Sequence, residues 1–313
     1  MSRLIFVPQL PVSNRYSEFW ITELSKKFRE NFDEVVVLAE NCINEFLKNM
    51  DRKQDMFSGI NSSINFELCQ VSDYIDLDIR KDDILFLSDL SFSGFFSNVL
   101  YHKKPNNIFC YCHATSRNNL DYFRPVRDSK FQCETAHSKL FKKVFVGSEY
   151  HKKKLGWNNI EVVGVSIPPY PVFKEEKKFD IISVARPCIQ KITKKLEDKV
   201  ERNFSQIVRK ETNSWEEYYK FLSSGRVLLI TTKEETFGYS TLEAIMNNTI
   251  VLAPNNFSYP ELLPKEYLYN NYEDLEMKLW SALNGELECP KELLCQDLCE
   301  KFYENVINIM KGK

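Results

Sequence analysis

The sequence has no run of apolar residues long enough to cross a membrane, and it is poor in glycine. A membrane helix needs about 20 consecutive apolar residues. The amino-terminal segment MSRLIFVPQL has neither the length nor the small-residue cleavage site of a signal peptide. Only 9 glycines occur among 313 residues, and none precedes Gly59. We therefore expect a soluble, cytoplasmic protein without a glycine-rich turn after its first strand.

Cysteine usage and acidic motifs give no sign of a disulfide framework or a metal site. The 9 cysteines are an odd number spread over the whole chain, which favours reduced thiols. Cys110-x-Cys112 and Cys295-x3-Cys299 lack His or Cys partners at zinc spacing. The one Asp-x-Asp, at 76–78, lies in a polar stretch and is more simply a solvated turn. We expect no metal.

Short apolar runs in the first half predict strands that alternate with helices. The runs are RLIFVPQ, DEVVVLAE, DILFLSD, NIFCYC, KVFVGS and IEVVGV, and residues 16–30 form one of the helical stretches between them. Such alternation predicts an α/β protein with a parallel sheet covered by helices on both faces. The segment IPPYPVFKEEKKF is proline-rich and then charged, which disfavours a helix. We place a domain boundary there, between a first domain of residues 1–168 and a second of 169–313.

The second half restarts this alternation and carries the residues of chemical interest. The run from Phe179 to Val184 predicts a buried strand, and Arg186 and Lys191 follow it. RVLLITT predicts a second buried strand, the loop KEETFG leads to a helix that begins near Tyr239, and TIVLAP predicts the next strand. Ser240 or Thr241 is expected to cap that helix. The last segment, CQDLCEKFYENVINIMK, has helical spacing.

Two carboxylates flank the predicted start of this helix. Glu235 and Glu243 are eight positions apart. A helix start has unpaired N–H groups and partial positive charge, which suit a diphosphate, and Gly238 lets the backbone approach it closely. Each carboxylate can accept hydrogen bonds from a pair of hydroxyls, one pair on a sugar and one on a ribose. These residues therefore predict a site for a nucleotide sugar.

At these residues the chain resembles the retaining GT-B glycosyltransferases of the large family called family 4. Their signature is a Glu, seven residues and a second Glu, with Phe-Gly just after the first and Leu-Glu-Ala at the second. The matching residues are Glu235, Phe237, Gly238, Leu242, Glu243 and Ala244, with the pair Pro260 and Glu261 after the next strand. The resemblance implies a GT-B fold, in which two doubly wound Rossmann-like domains face a cleft. It also implies a nucleotide-diphosphate sugar as donor.

The resemblance further implies roles for single residues. Arg186 and Lys191 match an Arg and a Lys that bind the donor's pyrophosphate, and His113 matches a histidine that contacts the donor sugar. The implied catalytic residues are His113, Arg186, Lys191 and Glu235. The implied donor-binding residues are Arg186, Lys191, Glu235, Thr236, Phe237, Gly238, Tyr239 and Glu243. Transfer with retention at such a site needs no protein nucleophile and no metal, because the leaving diphosphate helps to deprotonate the acceptor hydroxyl.

The chain departs from the family pattern in two places. The segment PQLPVSNRYSEFW replaces the glycine-rich turn near the acceptor, and the span from Lys191 to Glu235 fits one strand and helix, FSQIVRK and WEEYYKFLSS, where relatives fit two. The shorter span puts the wall that would bind the base in doubt, so the identity of the donor nucleotide stays open. A non-catalytic GT-B-like protein that binds a nucleotide sugar or glycan is the alternative function. For His113 the alternative is a histidine hydrogen-bonded at a strand end, and for Arg186 and Lys191 it is solvated surface charge.

Residues 102–154 are strongly basic in a chain of net charge −2. They hold twelve Lys and Arg against four Asp and Glu, with aromatic residues interleaved. Such a face suits an anionic acceptor, either nucleic acid or a lipid-linked or surface glycan. A solvated basic surface is the alternative.

Overall fold

The computed structural model describes residues 2–13, 16–49, 56–90, 95, 99, 104–118, 120, 124–167, 172–185, 191–293 and 298–313. Within these ranges the chain forms two sheets whose paired strands all run parallel. The predicted α/β class is confirmed. No helix in the part of the chain that the structure describes is both long enough and apolar enough to span a bilayer.

The first sheet has six strands in the order β2-β1-β3-β4-β5-β6. They are β1 Arg3–Val7, β2 Glu34–Val37, β3 Ile84–Leu87, β4 Asn107–Tyr111, β5 Lys143–Val146 and β6 Ile160–Val162, one for each predicted run. The described helices are α1 Tyr16–Asn31, α2 Glu40–Asn49, α3 Met56–Asp76, α4 Arg127–Ser138 and α5 Glu149–Leu155. Along β1, Leu4 and Phe6 enter one core while Ile5 and Val7 enter the other. Both faces of the sheet are therefore buried, as a continuous apolar run requires.

The second sheet has four strands in the order β10-β9-β8-β7. They are β7 Phe179–Ile182, β8 Gly225–Leu229, β9 Ile250–Pro254 and β10 Leu268–Tyr269. The helices are α6 Lys194–Asn203, α7 Trp215–Ser224, α8 Tyr239–Met246, α9 Tyr259–Leu262, α10 Tyr272–Leu283 and α11 Leu298–Met310. The predicted strand FSQIVRK does not form a full strand. Only Val208 pairs with Ile182, in a single parallel bridge, and the charged residues 209–211 follow it directly.

That bridge reverses the strand order at β7. Val208 lies on one side of β7 and β8 lies on the other, although the chain reaches Val208 first. In open parallel sheets, ligands bind beyond the carboxyl ends of the strands at such a reversal. The loops that leave β7 and β8 there lead to Lys191 and Glu235.

The last segment forms the predicted helix, and this helix packs on the first domain. Phe302 and Val306 of α11 share a core with Trp20 of α1, and the Phe302 and Trp20 ring centroids lie 5.2 Å apart. Lys27 Nζ donates to Glu300 at 2.9 Å. The predicted domain boundary between residues 168 and 169 falls outside the described residues and stays a prediction.

Candidate active site between the two domains

The loop after β8 turns into α8 at a glycine that no other residue could replace without strain. Gly238 has φ +100°, and a Cβ there would lie 3.0 Å from the Tyr259 ring. The expected cap from Ser240 or Thr241 is absent, since no side chain caps α8, and Gly238 occupies the capping position. The Thr241 hydroxyl is buried and has no hydrogen-bond partner among the described residues. The Thr241 amide donates to the Gly238 carbonyl at 3.0 Å, and no side chain caps the amides of Tyr239 and Ser240 before it, so an anionic ligand could accept from them.

Lys191 and Glu235 form an ion pair beside this helix start. Lys191 Nζ lies 2.7 Å from Glu235 Oε2. The other carboxylate oxygen, Oε1, accepts a hydrogen bond from the Thr236 amide at 3.0 Å. The Thr193 hydroxyl donates to the Thr231 carbonyl at 2.6 Å, which ties the loop carrying Lys191 to the end of β8. The sequence predicted both residues as part of one donor site, and the structure places their side chains in contact.

Glu243 is buried against tyrosines of the neighbouring helix. Its carboxylate accepts hydrogen bonds from the Tyr218 hydroxyl at 2.7 Å and the Tyr219 hydroxyl at 3.3 Å. Trp215 stacks on Tyr219, with ring centroids 5.9 Å apart. Sequence reasoning missed this aromatic group, although the spacing of three and four residues in WEEYYKFLSS places all three rings on one side of a helix.

These residues line a cavity of about 300 Å³ at the carboxyl ends of β7 and β8. Its lining includes Lys191, Glu235, Tyr239 and Glu243 from the predicted site, and Trp215 and Tyr218 from α7. Tyr16 of the first domain also lines it. The volume is at the lower end of the range for small-molecule sites, roughly 300–1,000 Å³.

A second cavity, of about 260 Å³, lies between the domains. His113 and His151 line it from the first domain, and Thr236 and Phe237 line it from the second. Tyr16, Lys191, Glu235 and Tyr239 line both cavities. The two cavities therefore adjoin at the Lys191–Glu235 pair.

His113 packs among aromatic rings at the end of β4. Its ring centroid lies 5.1 Å from that of Tyr16, 4.5 Å from Trp20 and 4.6 Å from Tyr111. Burial lowers its pKa to about 3, although a hydrogen bond with the Ser88 backbone acts in the opposite direction. Its Nε2 has no hydrogen-bond partner among the described residues.

Hydrogen bonds join the signature loop to the first domain. The Thr236 hydroxyl donates to the His113 carbonyl at 3.1 Å, and the Ser148 hydroxyl donates to the Thr236 carbonyl at 2.7 Å. The Glu261 carboxylate accepts from the first two amides of α5, each at 2.7 Å. Acidic groups at a helix start stabilise the helix. The Pro-Glu pair of the signature thus helps to hold the domains together.

Lys154 belongs to this interface, although the sequence places it in the basic segment. Its Nζ lies 3.2 Å from Glu234 Oε1 and 2.6 Å from Asn118 Oδ1. The Leu120 amide donates to the second Glu234 oxygen at 3.0 Å. Several other cations of the segment have partners, as in the pairs Lys130–Glu134, Lys143–Glu161 and Lys152–Glu149.

The structure brings most of the predicted site residues together. Seven of them line the two cavities: His113, Lys191, Glu235, Thr236, Phe237, Tyr239 and Glu243. Gly238 forms the helix start beside them, and Arg186 lies outside the described residues. Their roles in binding and catalysis stay predictions. Within the described ranges, no group of three His, Cys, Asp or Glu side chains is arranged to hold a metal ion.

Acid is expected to weaken the fold through the two cavity histidines. Burial lowers the pKa of His113 and of His151 to about 3, from an ordinary 6.5. As the pH falls from 6.5 towards 3, the unfolded chain binds protons that the folded chain does not. Each histidine should then cost about 1.4 kcal/mol of unfolding free energy per pH unit. The free energy of unfolding, measured with urea at pH 7, 6 and 5, should fall less steeply with decreasing pH for His113→Gln than for wild type. An equal dependence on pH in the two proteins would contradict the lowered pKa of His113.

Comparisons with known proteins agree with this architecture. No family model matches the chain. The tRNA-queuosine alpha-mannosyltransferase of Drosophila melanogaster is 30% identical over 131 residues, which are 42% of this chain and 33% of that protein. The match thus spans about a third of the length of this curated relative.

Solved structures of several proteins are similar over the whole chain, and two of them serve as examples. Trehalose-6-phosphate synthase OtsA gives a TM-score of 0.61, with 11% identity, over 100% of this chain and 99% of that one. Anabaena HepE in complex with UDP and glucose gives 0.62, with 10% identity, over 100% of this chain and 95% of that one. The chain therefore has the GT-B fold. The resemblance to GT-B glycosyltransferases that the sequence indicated is confirmed.

Proposed function

We propose that this chain is a retaining glycosyltransferase that moves a sugar from a nucleotide-diphosphate sugar to an acceptor hydroxyl. The observation that carries the proposal is the Lys191–Glu235 pair, at 2.7 Å, where the two cavities adjoin beside the start of α8. The cavity of about 300 Å³ has an aromatic wall beside Glu243 and suits the nucleoside. The cavity of about 260 Å³ is lined by His113 and His151 and suits the sugar. The diphosphate then lies between them, at the open helix amides.

Charge exchange at this pair explains how the donor is held. A diphosphate at the start of α8 competes with Glu235 for Lys191. When Lys191 turns to the diphosphate, the Glu235 oxygen that it leaves can accept sugar hydroxyls. Lys191 and Arg186 then offset the charge that builds on the leaving diphosphate, which is the group that helps to deprotonate the acceptor. No step in this scheme requires a metal.

We propose an RNA acceptor for the transferred sugar. The fly relative is named for mannose transfer to queuosine in tRNA, and the basic segment beside the cleft suits a phosphate backbone. Lys139, Lys142 and Lys153 of this segment are exposed. Cytoplasmic localisation stays a prediction.

A donor screen followed by a transfer assay tests the proposal. Thermal unfolding is measured with UDP-, GDP-, ADP- and dTDP-sugars, because a ligand that binds only the folded state raises the Tm. The stabilising donor is then incubated with total tRNA, and release of nucleoside diphosphate is measured. We expect one nucleotide class to stabilise the protein and tRNA to accelerate release. Binding without release under any condition would favour the alternative, a non-catalytic nucleotide-sugar binding protein.

Salt is expected to weaken acceptor binding more than donor binding. Contacts with several phosphates release counterions, which gives a steep negative dependence of affinity on salt, whereas a donor enclosed in a cleft is screened less. The variant Lys152→Glu/Lys153→Glu should raise the KM for RNA and leave donor affinity unchanged. Lys154 is kept, because its contact with Glu234 belongs to the domain interface.

The matched control is the variant Lys265→Glu/Lys291→Glu, which reverses the charge of two exposed lysines of the second domain. It should leave the KM for RNA near the wild-type value. If RNA transfer is insensitive to salt and to the first reversal, the basic segment is a solvated surface and a neutral acceptor is favoured.

A further inference from the structure

The end of the second cavity nearest the first domain holds a second histidine that the sequence did not single out. His151 lies on α5, and its side chain is buried, with 2% of the residue exposed. Its Nε2 has no hydrogen-bond partner among the described residues, and the same is true of His113 Nε2. Both residues line this cavity. Two buried nitrogen atoms at one cavity therefore lack partners, although buried polar atoms in proteins are almost always paired.

Both imidazoles are neutral at physiological pH. Burial lowers the pKa of each to about 3, and the charge of Lys154 lowers that of His151 further. A neutral imidazole has one nitrogen that donates a hydrogen bond and one that accepts it. A hydroxyl both donates and accepts hydrogen bonds, so it can pair with either kind of nitrogen, whereas a charged carboxylate finds no compensating charge on a neutral ring for its lost hydration.

Neither Lys191, which lines this cavity, nor Lys154, which contacts two of its lining residues, supplies a free positive charge. Lys191 pairs with Glu235, and Lys154 contacts both Glu234 and Asn118. Lys191, the one lysine among the described lining residues, is thus matched by the Glu235 carboxylate. This part of the cavity therefore suits a neutral group rich in hydroxyls.

We propose that His151 is a specificity-determining residue which, with His113, hydrogen-bonds hydroxyl groups of the transferred sugar and restricts the donor to neutral, fully hydroxylated sugars. The inference rests on the proposed function and deepens it. A site built to bind a hydroxyl rejects the analogue that lacks it by a factor on the order of 10⁴, because buried polar groups are left unpaired. Deoxy donors are rejected for that reason, and uronic acid donors because their charge is unmatched.

The experiment compares kcat/KM among donors that share one nucleotide. For a uridine enzyme these are UDP-glucose, its 3-, 4- and 6-deoxy analogues and UDP-glucuronic acid; for a guanosine enzyme they are GDP-mannose and the corresponding mannose analogues. Wild type should prefer the parent over at least one deoxy analogue by roughly 10³-fold or more. His151→Phe, which keeps a ring and removes both nitrogens, should reduce that preference at least tenfold. His151→Gln, which can place an amide near the Nε2 position, should restore part of it.

His137→Phe is the matched control. His137 lies on α4 in the same domain and is not part of either cavity lining, so the parent-to-deoxy ratio should stay at the wild-type value. A ratio unchanged in His151→Phe, whatever its overall activity, would show a merely structural histidine and overturn the inference.

The wild-type measurement keeps the inference falsifiable if His151→Phe does not fold. Equal turnover of the parent and of every deoxy donor by wild type overturns it directly, while the proposed function still stands. Failure of wild type to bind or turn over any nucleotide sugar removes the proposed function itself. The two failures are therefore distinguishable.

Discussion

Lys191→Ala is expected to lower turnover by roughly 10²-fold or more, which is the typical effect of removing one group that stabilises developing charge. The cation lies where the two cavities adjoin, and in the proposed reaction it offsets charge on the departing diphosphate. Arg186→Ala is expected to have an effect of similar size, on the role that the family resemblance implies. Folding should change little, because the Lys191 side chain is partly exposed, at 26%, and its partner Glu235 keeps the Thr236 amide as a donor.

The control for Lys191 is Lys143→Ala. Lys143 forms a comparable ion pair with Glu161, at 2.9 Å, and lines neither cavity. Steady-state kinetics should show near-normal turnover for this control, and urea unfolding should show similar stability for all three variants. Near-normal turnover of both Lys191→Ala and Arg186→Ala would reject their roles in catalysis.

Glu235→Gln is expected to cost as much turnover as the loss of Lys191. The substitution keeps the shape of the side chain and removes the charge that holds Lys191 and, in the proposed complex, accepts sugar hydroxyls. Charged acceptors form hydrogen bonds about twice as strong as neutral ones. kcat/KM should therefore fall by roughly 10²-fold or more, since the donor is both held and oriented less well.

A double-mutant cycle tests whether Lys191 and Glu235 act together or independently. If Lys191 and Glu235 act as one unit, the variant Lys191→Ala/Glu235→Gln should be little worse than either single variant, because groups that act together are strongly non-additive. Fully additive losses in kcat/KM would contradict the proposed exchange of Lys191 between Glu235 and the diphosphate. The Lys143→Ala/Glu161→Gln cycle provides the comparison for an ion pair outside the cavities.

Most of the fold could be predicted from the sequence because buried parallel strands have a strong pattern. All six apolar runs of the first half became strands, and RVLLITT and TIVLAP became β8 and β9. The failure at FSQIVRK has a physical reason. Its apolar centre, Ile207-Val208, is only two residues long and is followed by the charged residues 209–211, so it forms one bridge and no full strand.

The site residues that lie within one short segment could be predicted from the sequence. Those that only the fold brings together could not. Glu235 and Glu243 were identified from the segment between β8 and β9. His151 could not be identified, because its significance depends on burial and on a cavity shared with residues more than 80 positions away. The same holds for Lys154, which local charge counting placed on a basic surface and the structure places against Glu234.

The central claim is that the cleft transfers a sugar from a nucleotide diphosphate with retention of configuration. Proton NMR of the sugar's anomeric signal, recorded while wild type acts on its stabilising donor and acceptor, tests this most directly. The account predicts release of nucleoside diphosphate and a product with the anomeric configuration of the donor, with the rate of both lowered by roughly 10²-fold or more in Lys191→Ala/Glu235→Gln. An inverted product, or no release from any donor with any acceptor, would contradict it.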